Sequence, residues 1–447
     1  MSNPDNLREM EQNPSSSSNL TSILIIGGLF FMFGFVTWLN GSLIPFLQIA
    51  CELNHMQAYF VTLVFYIAYT VMALPSAKVL DKVGYKKGMV VGLVIMTIGA
   101  LVFIPASTSG LYAVFLIALF ILGTGLTLLQ TASNPYIVAI GPRRSAAVRI
   151  SLMGILNKSA GVLAPLVFTA LVFSDMSQYN DESLAKLSDV QRIIALNELS
   201  DRLAAPYLIM ASMLAALSLF IYFSPLPEIN LSNDGLSKTN EQADNKSIIA
   251  YPQVVLGVVT LFLYVGVEVI AGDTIGVYGK ELGVTNFTQL TSYTMAFMVI
   301  AYALGMALIP KYISQEKALS YSAILGLVFV IAIIVSSKQS TLVWDILFGW
   351  TGVTSIPNTV LFVALLGFAN ALVWPAVWPM ALQGLGNKTA EASALLIMGI
   401  SGGAILPLVY GALVEISHNS QFAYIIMLPC YAFILYYAKL GHKKSNW

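Results

Sequence analysis

The chain has 447 residues, of which 57% are hydrophobic and 10% charged, whereas an ordinary soluble domain carries about 25% charged residues. This composition excludes a soluble globular protein, and the balance of 22 Lys and Arg against 22 Asp and Glu leaves no basic excess for nucleic-acid binding. Two cysteines and three histidines, without CxxC or HExxH spacing, argue against a disulfide framework, a zinc site or a metalloprotease. We therefore expect a protein of the lipid bilayer that has no cofactor and is not an enzyme.

Twelve stretches are apolar enough, and long enough, to cross a bilayer core that takes roughly 20 residues of helix. A polar segment, residues 1–20, precedes them, and we expect it to be a disordered tail. The predicted spans are 21–49, 57–80, 86–106, 111–138, 147–173, 204–225, 252–279, 288–311, 317–337, 358–385, 390–414 and 421–439. The predicted fold class is an all-α membrane protein with twelve transmembrane helices.

The polar segment 226–250 after the sixth span divides the chain into two six-helix halves, residues 21–225 and 251–440, before a short tail, 441–447. An internal repeat supports this division. Gly161 with the sequence PLVFTALV at 165–172 recurs, at an offset of 242, as Gly403 with PLVYGALV at 407–414. Parallel repeats of this kind are typical of transporters that bind substrate at the midplane between their halves.

The distribution of cations predicts the orientation. Sixteen of the 22 Lys and Arg residues lie in the tails and in the connections on the same side, and five lie on the opposite side. The positive-inside rule therefore places both termini in the cytoplasm. In the long external loop 174–203, an apolar stripe predicts an amphipathic helix that acts as a lid or packing element: Leu184, Leu187, Val190, Ile193 and Ile194.

The connection after the second span carries a charged motif, DKVGYKK at residues 81–87. It resembles the signature of the major facilitator superfamily, with Tyr85 inserted among the cations. The resemblance implies a gating role, in which Gly84 permits a tight turn and Asp81 pairs with cations across the seam between halves. The candidate gating residues are Asp81, Lys82, Gly84, Lys86 and Lys87. The alternative is that the cations only anchor the loop on the cytoplasmic side.

Further motifs are similar to the fucose/glucose/galactose permease family, over about residues 30–437. They are QTASNPY at 130–136, NALVWPA at 370–376 and GGAILP at 402–407. The glucose/galactose transporter branch also shares the Asn157-Lys158 pair and the opening FGFVTWLNG at 33–41. The resemblance implies the major facilitator fold, a monomer in the bacterial inner (plasma) membrane, and cation-coupled uptake of a hexose.

Amide and indole side chains inside the spans suit a sugar, because hydroxyls need donors and acceptors and the sugar's C–H face suits aromatic rings. Gln130 and Asn134 are four residues apart and share a helix face, and so would Asn370, Trp374 and Trp378. The alternatives are amide hydrogen bonds between helices and, for Trp378, a place in the interfacial aromatic belt.

Asn40 and Asn157 complete the candidate sugar-binding amides. Trp38 and Asn40 are two residues apart and point in different directions on a helix. Only one of them can then face a sugar squarely, and we favour Asn40.

Three ionisable residues lie well inside spans: Lys158, Glu268 and Asp273. Each costs roughly 2.5–3.5 kcal/mol at the centre of a membrane helix, so they should have partners. We expect Lys158 to pair with a carboxylate in a contact that opens and closes during transport; a fixed structural ion pair is the alternative. Glu268 is also a candidate for substrate binding. Five residues correspond to about 140° of rotation on a helix, so Glu268 and Asp273 do not form one chelating face.

The chain departs from its relatives at the coupling residues. The L-fucose branch has carboxylates at the positions of Gly41 and Gln130, which are neutral here. Two mechanisms of cation coupling stay open: protonation of Glu268 or Asp273, and binding of Na⁺ near either carboxylate. We slightly favour Na⁺, in which case Lys158 would neutralise a carboxylate when the ion is absent.

The sequence thus favours a cation-coupled symporter that imports a hexose such as glucose or galactose by alternating access. A facilitative carrier is the alternative, as is a symporter for fucose or an N-acetylated sugar. A channel or a scaffold would not explain midplane amides and indoles within a six-plus-six repeat, and no catalytic constellation supports an enzyme.

Overall fold

The computed structural model describes residues 16–140, 146–172, 186–228, 247–309, 312–383, 385, 389–444 and 447. Twelve of the helices in these ranges are long and apolar enough to cross a membrane. The first half contains the helices Ser16–Trp38 with Asn40–Ala50, His55–Ala58 with Phe60–Val83, Tyr85–Ser109, Tyr112–Ala139, Ala146–Val172 and Ala204–Phe223. The second half contains Pro252–Asp273 with Ile275–Glu281, Leu290–Leu308, Gln315–Val335, Asn358–Asn370 with Val373–Leu382, Thr389–Met398 with Gly402–Ser417, and Met427–Lys439. We number these spans 1 to 12.

The predicted spans all coincide with these helices, with ends that differ by no more than about two turns. The all-α fold with twelve spans is therefore confirmed. Most of the predicted tail 1–20 and linker 226–250 lies outside the described residues, as do two residues of the tail 441–447.

Several spans are interrupted near their middle. Span 1 breaks at Leu39, span 7 at Thr274 and span 10 at residues 371–372, while span 11 passes through the 3₁₀ turn Gly399–Ser401. Each break frees main-chain groups that a continuous helix would pair. Such breaks are tolerated in a bilayer only where neighbouring protein satisfies the freed groups, so they mark the interior of the bundle.

Glycines allow very close helix crossings in both halves, and two of these crossings join corresponding spans. A Cβ atom on Gly34 of span 1 would overlap the main-chain oxygen of Asn157 on span 5. A Cβ atom on Gly402 of span 11 would overlap the main-chain oxygen of Phe262 on span 7. The corresponding pairs of spans, 1 with 5 and 7 with 11, are therefore packed backbone to backbone.

The external loop contains the helix Asp189–Asp201, which begins with a capping box between Ser188 and Gln191. The predicted helix is confirmed, but its predicted packing face is wrong. Val190, Ile193 and Ile194 are 68%, 59% and 52% exposed, and the helix packs through a different pair, Leu196 and Leu199. The helix packs against span 3 and the end of span 1, and the position of these two spans determines which of its faces is buried. Leu184 lies outside the described residues.

The charged motif between spans 2 and 3 turns at Gly84, whose φ of +81° favours glycine, as predicted. The ammonium group of Lys86 donates to the main-chain oxygen of Ser224 at 2.7 Å, and its main-chain N–H donates to Glu228 at 3.4 Å. Ser224 and Glu228 directly follow span 6, so Lys86 makes both contacts within the first half and not across the seam. The side chain of Asp81 lies outside the described residues, and its pairing across the seam stays a prediction.

Candidate functional site

A buried ion pair joins the two halves. Lys158 of span 5 donates to Oε1 of Glu268 on span 7 at 2.7 Å, and the two side chains are only 10% and 9% exposed. The indole of Trp38 covers the ammonium group, with 4.2 Å between Nζ and the ring centroid. The predicted pairing of Lys158 with a carboxylate is thus present, and the partner is Glu268.

Aromatic rings extend from this pair into the second half. Tyr264 precedes Glu268 by about one turn of span 7, and its ring centroid lies 6.4 Å from that of Trp374 on span 10. The centroids of Trp374 and Trp378 are 5.6 Å apart. The ion pair and the two indoles therefore belong to one group of side chains, which we call the midplane cluster: Trp38, Lys158, Tyr264, Glu268, Trp374 and Trp378.

The predicted stripe of Asn370, Trp374 and Trp378 on one helix face is wrong in one respect. Span 10 is interrupted after Asn370 and resumes at Val373, so the amide and the two indoles are not on one continuous helix. Asn370 is fully buried and accepts a hydrogen bond from the Tyr431 hydroxyl at 2.8 Å.

Among the described residues, five buried side-chain nitrogens have no hydrogen-bond acceptor; besides Nε1 of Trp344, which lies between spans 9 and 10, four belong to spans 1 and 10. They are Nε1 of Trp38, Nδ2 of Asn40, Nδ2 of Asn370 and Nε1 of Trp378. A buried donor without an acceptor costs about 1–3 kcal/mol, so each one calls for an explanation. All four are N–H donors, which a ligand rich in hydroxyl oxygens can satisfy.

The remaining predicted amides lie in the first half. Gln130 donates to the Tyr69 hydroxyl at 2.9 Å, and Asn134, one turn further along span 4, is half-buried. Asn157 donates to the main-chain oxygen of Phe30 at 3.3 Å. The hydrogen bond of Asn157 is thus of the helix-to-helix kind that the alternative interpretation describes.

Sequence reasoning missed several residues of this region. Trp38 was set aside in favour of Asn40, yet both are 2% exposed. Tyr69 and Tyr431, which bond the predicted amides, carried no signal in the sequence. Tyr264 did carry one, because it lies four residues before Glu268 and so shares its helix face.

Asp273 lies apart from the midplane cluster. It is the last residue of the helix Pro252–Asp273, is fully buried, and accepts a hydrogen bond from Thr62 of span 2 at 3.2 Å. Glu268 and Asp273 therefore have separate partners, in line with their five-residue spacing. Within the described ranges, no group of three or more His, Cys, Asp or Glu side chains is placed to hold a metal ion.

Contacts between the halves close the end of the bundle opposite the two termini, which we call the far end. Ser42 donates to the main-chain oxygen of Thr288 at 2.6 Å. The main-chain N–H of His55 donates to Glu415 at 2.8 Å, and its Nε2 lies 3.4 Å from a carboxylate oxygen of Glu281. A cavity of about 260 Å³ lies beside His55, Glu281 and Glu415.

The far end should close more tightly as the pH falls. Burial raises the pKa of Glu281, against the opposing effect of a hydrogen bond from Ser420. Opening would expose Glu281 and return its pKa toward the ordinary value, so the closed form binds the proton more tightly and acid stabilises it. We expect the labelling of a Ser42→Cys thiol, with Cys51 and Cys430 replaced by serine, to quicken as the pH rises.

The control for this prediction is Glu281→Gln, which resembles the protonated side chain. The ratio of labelling rates between the two proteins at each pH cancels the ionisation of the thiol itself. We expect the labelling rate of the Gln variant to depend less steeply on pH, and equal pH dependence in both proteins would contradict the assignment to Glu281.

Comparison with known proteins agrees with this architecture. Residues 26–408 match the sequence profile of the Major Facilitator Superfamily. The chain is 31% identical over 432 residues to a glucose/galactose transporter of Brucella abortus, which covers 95% of this chain and 94% of that protein. It is 25% identical over 436 residues to the L-fucose-proton symporter of Escherichia coli K12, with 96% and 95% coverage.

Among solved structures, a variant of the Escherichia coli fucose:proton symporter matches with a TM-score of 0.69. The match covers 95% of this chain and 99% of that one at 23% identity, so it bears on the fold.

Proposed function

Since the chain belongs to the major facilitator superfamily, within the fucose/glucose/galactose permease family, we propose that it is a cation-coupled hexose symporter working by alternating access. Glucose and galactose are the favoured substrates because a relative at 31% identity is named for them. Fucose is the second candidate, named in the relative at 25% identity.

The observation that carries this proposal is the midplane cluster. A charged pair joins the two halves beside indoles and next to buried N–H groups that have no acceptor in the described part of the chain. Sugar hydroxyls would accept from those N–H groups, while Trp374 and Trp378 would cover the C–H face of the ring. A sugar bound there would contact both halves and so favour one arrangement of them over another.

The favoured coupling ion is the proton. Two relatives are named L-fucose-proton symporters, and the preference for sodium formed from the sequence has no support from these relatives. The positive-inside rule predicts that the far end faces outside the cell, and symport with protons that enter down their gradient drives import.

Uptake of radiolabelled glucose and galactose into proteoliposomes tests the proposal. Counterflow, in which internal unlabelled sugar accelerates entry of label, identifies a carrier whatever its coupling. An inward proton gradient without sodium should then drive accumulation, whereas an inward sodium gradient at constant pH should not. Counterflow without accumulation under either gradient would indicate a facilitative carrier.

Trp374→Ala should raise the KM for the sugar about tenfold, because an aromatic contact contributes about 0.5–1.5 kcal/mol beyond the area it buries. The matched control is Trp350→Ala, since Trp350 is 83% exposed and lies outside the midplane cluster. Initial rates of uptake measure both variants. An unchanged KM for Trp374→Ala would remove this indole from the sugar site.

A further inference from the structure

Asp273 is a buried carboxyl that forms no ion pair with any described residue. Its side chain is fully buried, Oδ2 accepts from Thr62, and Oδ1 has no hydrogen-bond partner among the described residues. Lys158, a buried cation of span 5, is held by Glu268 at 2.7 Å. The charges of Lys158 and Glu268 therefore compensate each other and leave that of Asp273 uncompensated.

The other groups around Asp273 do not favour a negative charge. The titratable side chains that interact electrostatically with Asp273 are Glu268 on its own helix and the phenols of Tyr59 and Tyr66 on span 2. None of these side chains is a cation. A buried carboxylate in this position is far costlier than a neutral carboxyl.

The main-chain oxygens of the same helix end are already hydrogen-bonded by threonines. Thr274 donates to the oxygen of Ile270 at 2.8 Å, and Thr291 donates to that of Gly272 at 2.7 Å. Among these oxygens at the helix end, Oδ1 of Asp273 is therefore the one without a hydrogen-bond donor. A single free oxygen can bind a proton, whereas a metal ion needs several oxygen ligands.

Asp273 also lies on the seam between the halves. Thr62 belongs to the first half and Asp273 to the second, so their hydrogen bond forms only when the far end is closed. When the far end opens, Asp273 meets water and can exchange its proton with that side.

Hydroxyl groups continue from this carboxyl along span 2. Thr62, Tyr66 and Tyr69 are four and three residues apart and so share one helix face. The rings of Tyr66 and Tyr69 are stacked with 6.0 Å between centroids, and the Tyr69 hydroxyl accepts from Gln130.

From these observations we infer that Asp273, together with Thr62, is the coupling proton site, and that a proton on Oδ1 permits the far end to close. The inference rests on the proposed symport, and it separates coupling from the Lys158–Glu268 pair. The proton comes from water at the open far end, neutralises the carboxylate as it becomes buried, and returns to water when the opposite end opens, with the hydroxyls of Tyr66 and Tyr69 on its path. Coupling follows because the ionised form opposes closure.

Asp273→Asn tests the site, since asparagine imitates the neutral carboxyl. We expect sugar counterflow to continue and to depend less on pH than in the unaltered protein, while accumulation driven by a proton gradient falls to simple equilibration. Asp345→Asn is the matched control: Asp345 is an exposed aspartate of the short helix Leu342–Phe348 between spans 9 and 10, and its replacement should leave accumulation unchanged. Full proton-driven accumulation by Asp273→Asn, or accumulation driven by sodium alone in the unaltered protein, would overturn the inference.

A second measurement needs neither sugar nor an altered aspartate. A hydrophobic carbodiimide reacts with protonated carboxyls in membranes, and mass spectrometry locates the adduct. We expect an adduct on Asp273 in acidic medium that declines in alkaline medium, and a decline at higher pH for Thr62→Val, because the lost hydroxyl donates to the carboxylate and favours its ionised form. Absence of the adduct at every pH would overturn the proton site, whereas labelling without hexose counterflow would overturn the proposed substrate only.

Discussion

Neutralising one partner of the Lys158–Glu268 pair, by Lys158→Met or Glu268→Gln, is expected to abolish transport and to reduce the yield of folded protein. Each change leaves one charge buried and unpaired, which costs about 3–5 kcal/mol. The double variant should recover much of the yield, because two neutral side chains of similar size replace the pair without leaving a charge. Fluorescence-detected gel filtration measures the yield.

Measurement of transport by the double variant distinguishes a pair that opens and closes during the cycle from a fixed structural ion pair. If the pair opens and closes around the sugar, the double variant should fold and still fail to transport; full transport would show a fixed structural ion pair. A matched control is Lys443→Met, since Lys443 and Glu316 are also 2.7 Å apart but 54% and 40% exposed. Exposed pairs contribute at most about 1 kcal/mol, so this variant should behave like the unaltered protein.

Replacing Gly34 or Gly402 with alanine is expected to prevent folding. The added methyl group would overlap a main-chain oxygen, of Asn157 in one case and of Phe262 in the other. A main-chain oxygen cannot rotate away as a side chain can, so spans 1 and 5, or 7 and 11, would have to move apart. Both variants should therefore yield little monodisperse protein after extraction in detergent.

Gly28→Ala is the control for this prediction. Gly28 lies on the same helix as Gly34, but a Cβ atom there would meet nothing within 4 Å. A normal yield of Gly28→Ala and a low yield of Gly34→Ala would show that the close crossing of spans 1 and 5 causes the effect. The same result would exclude a general effect of alanine in span 1. Normal yield from all three variants would contradict the close crossings.

The spans could be predicted because bilayer thickness sets the length of an apolar run. Predictions of shared helix faces were less successful, since they assumed unbroken helices. The break at Leu39 separates Trp38 from Asn40, and both side chains are buried. The break after Asn370 likewise separates that amide from Trp374 and Trp378. Neither break is marked by a proline at the break itself.

The choice of partner for Lys158 was also beyond sequence reasoning. Glu268 and Asp273 were both candidates, and the rotation of span 7 against span 5 decides between them. That rotation depends on packing between distant segments, for which one sequence carries no periodic signal. The external helix shows the same limit, because its position in the sequence was predicted and its packing face was not.

The cavity of about 260 Å³ at the far end is formed by His55 from one half and by Glu281 and Glu415 from the other. Its shape therefore exists only while the halves are together at that end. A single-domain antibody whose long loop fits this cavity would recognise one conformation and disfavour the rest by mass action. Such a binder would halt the cycle from outside the sugar site and would hold the protein in one state for imaging.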